Sequence, residues 1–204
     1  VTEKVTRHIV LASTSPRRQE LIRMLGIPFE VMPSGADEDT PADWKPGRVV
    51  ETLALRKAEA VRDELGHNTK GSVIVGSDTV VVLDGDILGK PRNKQEAVTM
   101  LNRLQGQKHQ VYTGVACIDT ESGTSDIRHR VTSVWMKPLN KDEIQHYVAT
   151  GEPMDKAGAY GIQGLGAVMV EGIEGDYFNV VGLPLSLLAD MLSVLGIRVL
   201  GPSQ

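Results

Sequence analysis

The 204-residue sequence predicts an α/β fold, a mixed, twisted central sheet flanked by helices, on three observations. Runs rich in β-branched residues have strand length, as at 72–83 and 110–118. Other segments place apolar residues at helical spacing, the longest from 47 to 65. The two kinds alternate along the chain instead of clustering by type, which favours a sheet with some parallel strands.

The chain opens with a strand at 9–12, after which Ser15-Pro16 signals a helix start with Pro at the first helical position. Leu21, Ile22, Met24 and Leu25 give that helix a one-sided apolar stripe, and Gly26 suits its stop. A second strand is expected at 29–32. The polar loop that follows, through Pro46, carries Asp37, Glu38 and Asp39 and is long enough to point to function. Val50, Leu53, Ala54, Ala58, Val61 and Leu65 then mark the long helix, with Lys57 inside it and Gly66 as its stop.

Asp84-Gly85 predicts a hairpin from strand 72–83 into Ile87-Leu88. Asn93 and Asn140, each with Glu three residues on, resemble capping boxes for helices ending near Leu104 and Thr150. Strands at 110–118 and 127–134 are joined across a Ser-Gly-Thr turn. A glycine-rich segment occupies 151–166, and a second hairpin is expected from 168–173 and 177–181 around Glu174-Gly175. The closing helix falls at 185–195. No repeat or low-complexity stretch divides the chain, so one domain over 1–204 is expected.

The balance of 22 basic against 26 acidic residues leaves a net charge of −4. That charge gives no overall pull towards nucleic acid or an anionic membrane, so a phosphate ligand must be held by a local cluster of cations. The apolar runs are too short to span a bilayer and the N-terminus lacks the apolar core of a signal peptide, so a cytoplasmic protein is expected. Cys117 is the only cysteine, which excludes an internal disulfide and a cysteine-based metal cluster; in its apolar run it reads as a core residue. The five histidines show no paired ligand spacing.

Four constellations carry chemistry. In Ser13-Thr14-Ser15-Pro16-Arg17-Arg18, two arginines occupy a helix's opening turn, where the dipole disfavours cations by about 0.3–1 kcal/mol each. An arriving phosphate would find backbone N–H groups, hydroxyls and guanidinium forks together; the plainer reading is a solvated helix start. Gly76-Ser77-Asp78-Thr79 sets an acid inside an apolar strand, where a charge without a partner costs several kcal/mol, so either a strand-end cap or a cation or metal is expected beside it. Gly89-Lys90-Pro91 places an ammonium just after the hairpin that begins at Asp78, from where the chain can return Lys90 towards that carboxylate; it is either a phosphate contact or a surface lysine. Residues 155–164 combine glycines, which allow close backbone approach, with the Gln163 amide, which can read a base edge; the plainer reading is a glycine-rich surface loop. They do not match the phosphate-loop or dinucleotide fingerprints.

Taken in order, the segments LASTSPRRQELI, GSDTVVVLDGDILGKP, EPMDKAGAYGIQG and GDYFNVVGLP resemble the Maf family of nucleoside triphosphate pyrophosphatases, from residue 9 to about 184. The third segment is similar to the branch acting on dTTP and UTP; a sibling branch prefers methylated GTP. The resemblance implies two lobes with a cleft between them, a homodimer, and a divalent Mg²⁺ or Mn²⁺. It implies that Asp78 is the catalytic acid that accepts a proton, that Arg17, Thr79 and Gln163 bear on substrate choice, and that Lys57, Lys90 and Glu38 are cleft residues. On this reading Asp78 and Glu38 are the expected metal ligands, Lys90 is expected to join Asp78 in catalysis, and Ser13, Arg17, Arg18, Lys57, Thr79 and Gln163 are expected to contact substrate. Ser77 stands where the family often has alanine and can add a hydrogen bond. The family name is also associated with septum formation, so a nucleotide-sensing regulator without turnover is the rival expectation.

Overall fold

The computed structural model describes residues 7–66 and 71–201. In chain order the elements are β1 (His8–Leu11), α1 (Pro16–Arg23), β2 (Phe29–Val31), α2 (Pro46–Leu65), β3 (Ser72–Leu83), β4 (Asp86–Leu88), α3 (Lys94–Leu104) and β5 (Lys108–Asp119). β6 (Ser125–Met136), α4 (Lys141–Ala149), β7 (Val170–Glu174), α5 (Tyr177–Val181) and α6 (Leu185–Val194) follow. The strands form one mixed sheet in the order β2-β1-β3-β5-β6-β7, with β4 on β3. β1 pairs in parallel with both β2 and β3, whereas the β3–β4 and β6–β7 pairs are antiparallel. The α/β expectation and its mixed sheet are therefore met.

Two compact units divide the chain: Val1–Asp78, Thr113–His129 and Gly182–Gln204 in the first, Thr79–Tyr112 and Arg130–Val181 in the second. β3, β5 and β6 each run from one unit into the other, and Asp78 is the last residue of its stretch. The first unit's core brings Val10 and Ile74 from the strands, and Ala12 just after β1, against Ala54, Ala58 and Val61 of α2, all buried. The second gathers Leu83, Leu101, Leu104, Met136, Ile144 and Tyr160. Fully burying a side chain of Leu or Ile size contributes roughly 1.5–3 kcal/mol, so these two clusters carry much of the stability. Cys117 is fully buried, and that burial pushes its thiol pKa well up, as a core residue requires.

Local signals set the element ends. Asp84 and Gly85 both have positive φ (51° and 88°), the backbone that a two-residue hairpin of the right twist needs. At α4 the capping box is complete: the Asn140 side chain accepts from Glu143 N–H, and Glu143 accepts from Asn140 N–H. At α3 only half of it forms, because Glu96 accepts instead from the Arg92 backbone N–H at 2.6 Å and pairs with its guanidinium.

The second expected hairpin is not formed. Val170–Glu174 is a strand, but Tyr177–Val181 is a helical turn. The Asp176 carboxylate accepts from Phe178 and Asn179 N–H, which starts a helix, and the buried Asn179 amide donates to Val111 O and Thr132 Oγ1 at 3.0 Å each. That capping and anchoring outweigh the β propensity of the aromatic and β-branched residues. Among the described residues, no helix is long and apolar enough to cross a membrane.

Candidate functional site

The first unit's site begins with a close approach of helix to sheet. A Cβ on Gly76 of β3 would lie 2.1 Å from the Ala54 carbonyl oxygen, and one on Gly114 of β5 would lie 2.2 Å from that of Val50. Two glycines in neighbouring strands thus let the backbone of α2 settle directly on the sheet. Lys57 lies one turn beyond Ala54, and from this seat its Nζ reaches Asp78 Oδ1 at 2.6 Å and Glu38 Oε1 at 2.8 Å. The cation beside Asp78 is therefore Lys57, not the Lys90 that the hairpin was expected to return to it.

Arg56, the neighbour of Lys57, holds the loop that supplies Glu38. Its guanidinium donates to the carbonyls of Asp37 at 3.3 Å and Asp39 at 2.7 Å, on either side of Glu38. Exposure differs sharply within the triad: the side chains of Lys57 and Asp78 are 12% and 13% exposed, whereas Glu38 is 58% exposed. Asp78 and Lys57 are therefore the pair whose separation would be costly, since removing one partner of a buried pair strands the other.

Arg18 and Ser77 converge on one carbonyl. Arg18 Nε donates to Gly182 O at 2.7 Å, and the buried Ser77 hydroxyl donates to the same oxygen at 3.1 Å. Ser77 thus supplies the added hydrogen bond, and it ties the strand beside Asp78 to the start of the C-terminal segment. Burial lowers the Arg18 pKa, the charges of Asp78 and Glu38 raise it, and that of Arg17 lowers it further. Arg17, Arg18 and Lys57 set three positive charges among two carboxylates, a locally cationic cluster in an acidic chain. At the start of α1, Ser15 makes no side-chain cap, and Ser13 Oγ accepts from Ser15 N–H at 3.2 Å.

The two carboxylates suit a hard divalent cation. Asp78 and Glu38 bring oxygens to within hydrogen-bond distance of one point, now held by an ammonium. Among the described residues no group of three or more His, Cys, Asp or Glu could hold a metal ion. A Mg²⁺-like ion commonly uses one or two carboxylates, completed by water and phosphate, and this donor set fits that pattern.

Thr79, Lys90 and Gln163 belong to the second unit. Thr79 follows Asp78 directly in β3 and is half-buried, while Lys90 is exposed after β4. The adjacent Gly89 carbonyl accepts from Gly158 N–H at 3.0 Å, which joins the Lys90 segment to the glycine-rich one. Gly158 has φ +69° and no room for a Cβ, which would lie 2.8 Å from Val81. Gln163 is half-buried and precedes a 3-10 turn, Gly164–Met169.

The model of the Maf-like protein family matches residues 8–195. The chain belongs to this family. A dTTP/UTP pyrophosphatase of Pelotomaculum thermopropionicum is 51% identical to it over 194 residues, 95% of this chain and 100% of the relative. A dTTP/UTP pyrophosphatase of Moorella thermoacetica is 50% identical over 193 residues, 95% and 97% of the two chains. The solved Staphylococcus aureus Ham1 protein aligns with a TM-score of 0.48 at 16% identity, covering 80% of this chain and 79% of that one.

In this Maf chain Glu38, Lys57 and Asp78, all expected at the site from the sequence, meet, whereas three supports were not singled out. Arg56 reads as an ordinary charge on a helix face, and nothing local distinguishes it. The Gly182 carbonyl is a backbone group, signalled only by the motif around it. Tyr147 and Glu152 brace the Gln163 segment; Glu152 opens the third motif, and that position was its one visible sign.

Proposed function

We propose that this Maf protein hydrolyses dTTP and UTP between the α and β phosphates, releasing the nucleoside monophosphate and pyrophosphate. The observation that carries the reading is the buried Asp78–Lys57 pair with Glu38 on the same ammonium, within a cationic cluster. Relatives of about half identity, named dTTP/UTP pyrophosphatases, support the choice of nucleotide.

In this mechanism a water molecule attacks the α phosphorus, its proton passes to Asp78 Oδ, and pyrophosphate leaves. The Lys57 ammonium, 2.6 Å from Oδ1, holds the Asp78 carboxylate in place for that proton transfer. A divalent Mg²⁺ or Mn²⁺ would be held by Asp78 and Glu38 and, when bound, would withdraw charge from phosphate oxygens and lower the water pKa. Arg17, Arg18 and Lys90 balance the triphosphate charge, with the Ser13 hydroxyl as a further donor; this is catalysis by positioning and electrostatics. Thr79 and Gln163 select the base. We further propose that residues 1–204 act as one catalytic domain and that two copies associate.

The test is turnover of dTTP, UTP, CTP and 7-methyl-GTP by purified protein, with Mg²⁺, with Mn²⁺ and with chelator. Formation of dTMP and pyrophosphate is expected only with metal, and Asp78→Asn loses nearly all turnover while remaining folded. Preference for the methylated nucleotide would reassign the branch, and tight binding with no turnover would favour the regulator.

A further inference from the structure

Glu152 opens the glycine-rich motif that leads to Gln163, and the phosphate chemistry makes no use of it. Both of its carboxylate oxygens are engaged. Oε1 accepts from the Tyr147 hydroxyl at 2.9 Å and from Gly166 N–H at 2.9 Å, and Oε2 accepts from Leu165 N–H at 3.0 Å. The Tyr147 hydroxyl, its proton given to Glu152, accepts from Gly161 N–H at 3.3 Å. The backbone is thus fastened on both sides of Gln163, at Gly161 before it and at Leu165 and Gly166 after it.

The sequence leaves room for this clamp. A Cβ on Gly164 would lie 2.8 Å from Glu152 Oε2, and one on Gly166 would lie 2.3 Å from Gly161 O and 2.7 Å from the Tyr147 hydroxyl. From the other side Lys156 Nζ donates to the Glu152 carbonyl at 2.7 Å, with its stem against Gly161. Every group facing the carboxylate is a donor, so an acceptor-only side chain is required there. Burial raises the Glu152 pKa, but the bonds from Gly166, Leu165 and Tyr147 outweigh it and hold the group below its ordinary value.

Resting on the reading that Gln163 selects the base, we propose that Glu152, acting with Tyr147, is the positioning residue that holds the Gln163 amide in register with a pyrimidine edge. Such an edge presents a donor and acceptors in fixed geometry, and an amide matches it only if its backbone is held still. Glu152→Gln keeps the shape but turns an NH₂ towards N–H donors. Tyr147→Phe keeps the ring and the carboxylate but removes the bonds of the hydroxyl to Glu152 Oε1 and Gly161 N–H.

The experiment measures kcat and KM for UTP and CTP in wild type, Glu152→Gln, Tyr147→Phe, Gln163→Ala and the Glu152→Gln/Gln163→Ala double variant, with melting curves for each. The UTP preference is expected to fall about tenfold in Glu152→Gln, the scale of one hydrogen bond, mainly through KM, and to fall in Tyr147→Phe. The double variant should lose no more preference than Gln163→Ala, because both changes break one arrangement. If Gln163→Ala abolishes the preference while Glu152→Gln and Tyr147→Phe keep it, the positioning role is overturned and the Gln163 reading stands. If Gln163→Ala keeps the preference, the base-selection reading fails and the inference falls with it. Should Glu152→Gln not fold, Tyr147→Phe decides.

Discussion

Replacing Gly76 by alanine tests whether the seat of α2 on the sheet sets the catalytic pair. The added Cβ would lie 2.1 Å from the Ala54 carbonyl oxygen and 3.0 Å from the Ala58 nitrogen. Both are backbone atoms of one helix, so no rotamer change relieves the overlap. Restoring an ordinary contact of about 3.5 Å requires α2 to retreat by more than about 1 Å. Overpacking of this kind costs about 1–3 kcal/mol, and a clash with backbone belongs at the upper end. Lys57 rides on the same helix and would be drawn from its 2.6 Å contact with Asp78. A misplacement of about 1 Å at reacting groups lowers turnover by about 100-fold. Urea unfolding and steady-state dTTP hydrolysis measure the two effects, with Gly172→Ala as control, since a Cβ there meets nothing within 4 Å. A Gly76→Ala protein with wild-type midpoint and wild-type kcat would refute the reasoning.

Lys57→Met should lower stability by about 3 kcal/mol, because Asp78 loses the cation that compensates its burial. Adding Asp78→Asn should restore part of that loss without restoring turnover, whereas additive urea midpoints would deny the coupling. Arg17→Ala should reduce kcat/KM while leaving stability unchanged or slightly raised, since the α1 dipole disfavours a cation there by about 0.3–1 kcal/mol. Marked destabilisation with normal kinetics would make Arg17 structural. His109 is 2% exposed, and burial lowers its pKa to about 4. The unfolded chain binds a proton below about pH 6.5 and the folded one only near 4, so stability is complete above that window and falls by about 3 kcal/mol across it. Urea titrations from pH 7 to pH 4 should show this fall, and His109→Gln should flatten it.

What the sequence alone determined is local. The Asp84-Gly85 turn, the Asn140 capping box and the apolar spacing of α2 each depend on residues within a turn or two of one another, so their chemistry is legible as written. Asp78 was legible for a related reason, because a charge in an apolar strand demands a partner whatever the fold. Which partner answers it was not legible. Lys57 and Glu38 reach it only because the sheet, the glycine seat and the Arg56-held loop bring distant segments to one point. The same limit explains the misread at 177–181, where side-chain propensity favoured a strand and contacts from Asp176, Val111 and Thr132 decided for a helical turn. It explains the clamp on Gln163 as well, since a glutamate reads alike whether it faces water or three donors. Tertiary structure decided these pairings because the energy of a buried charge or hydrogen bond depends on what surrounds it, and those surroundings are assembled from segments that sequence order keeps apart.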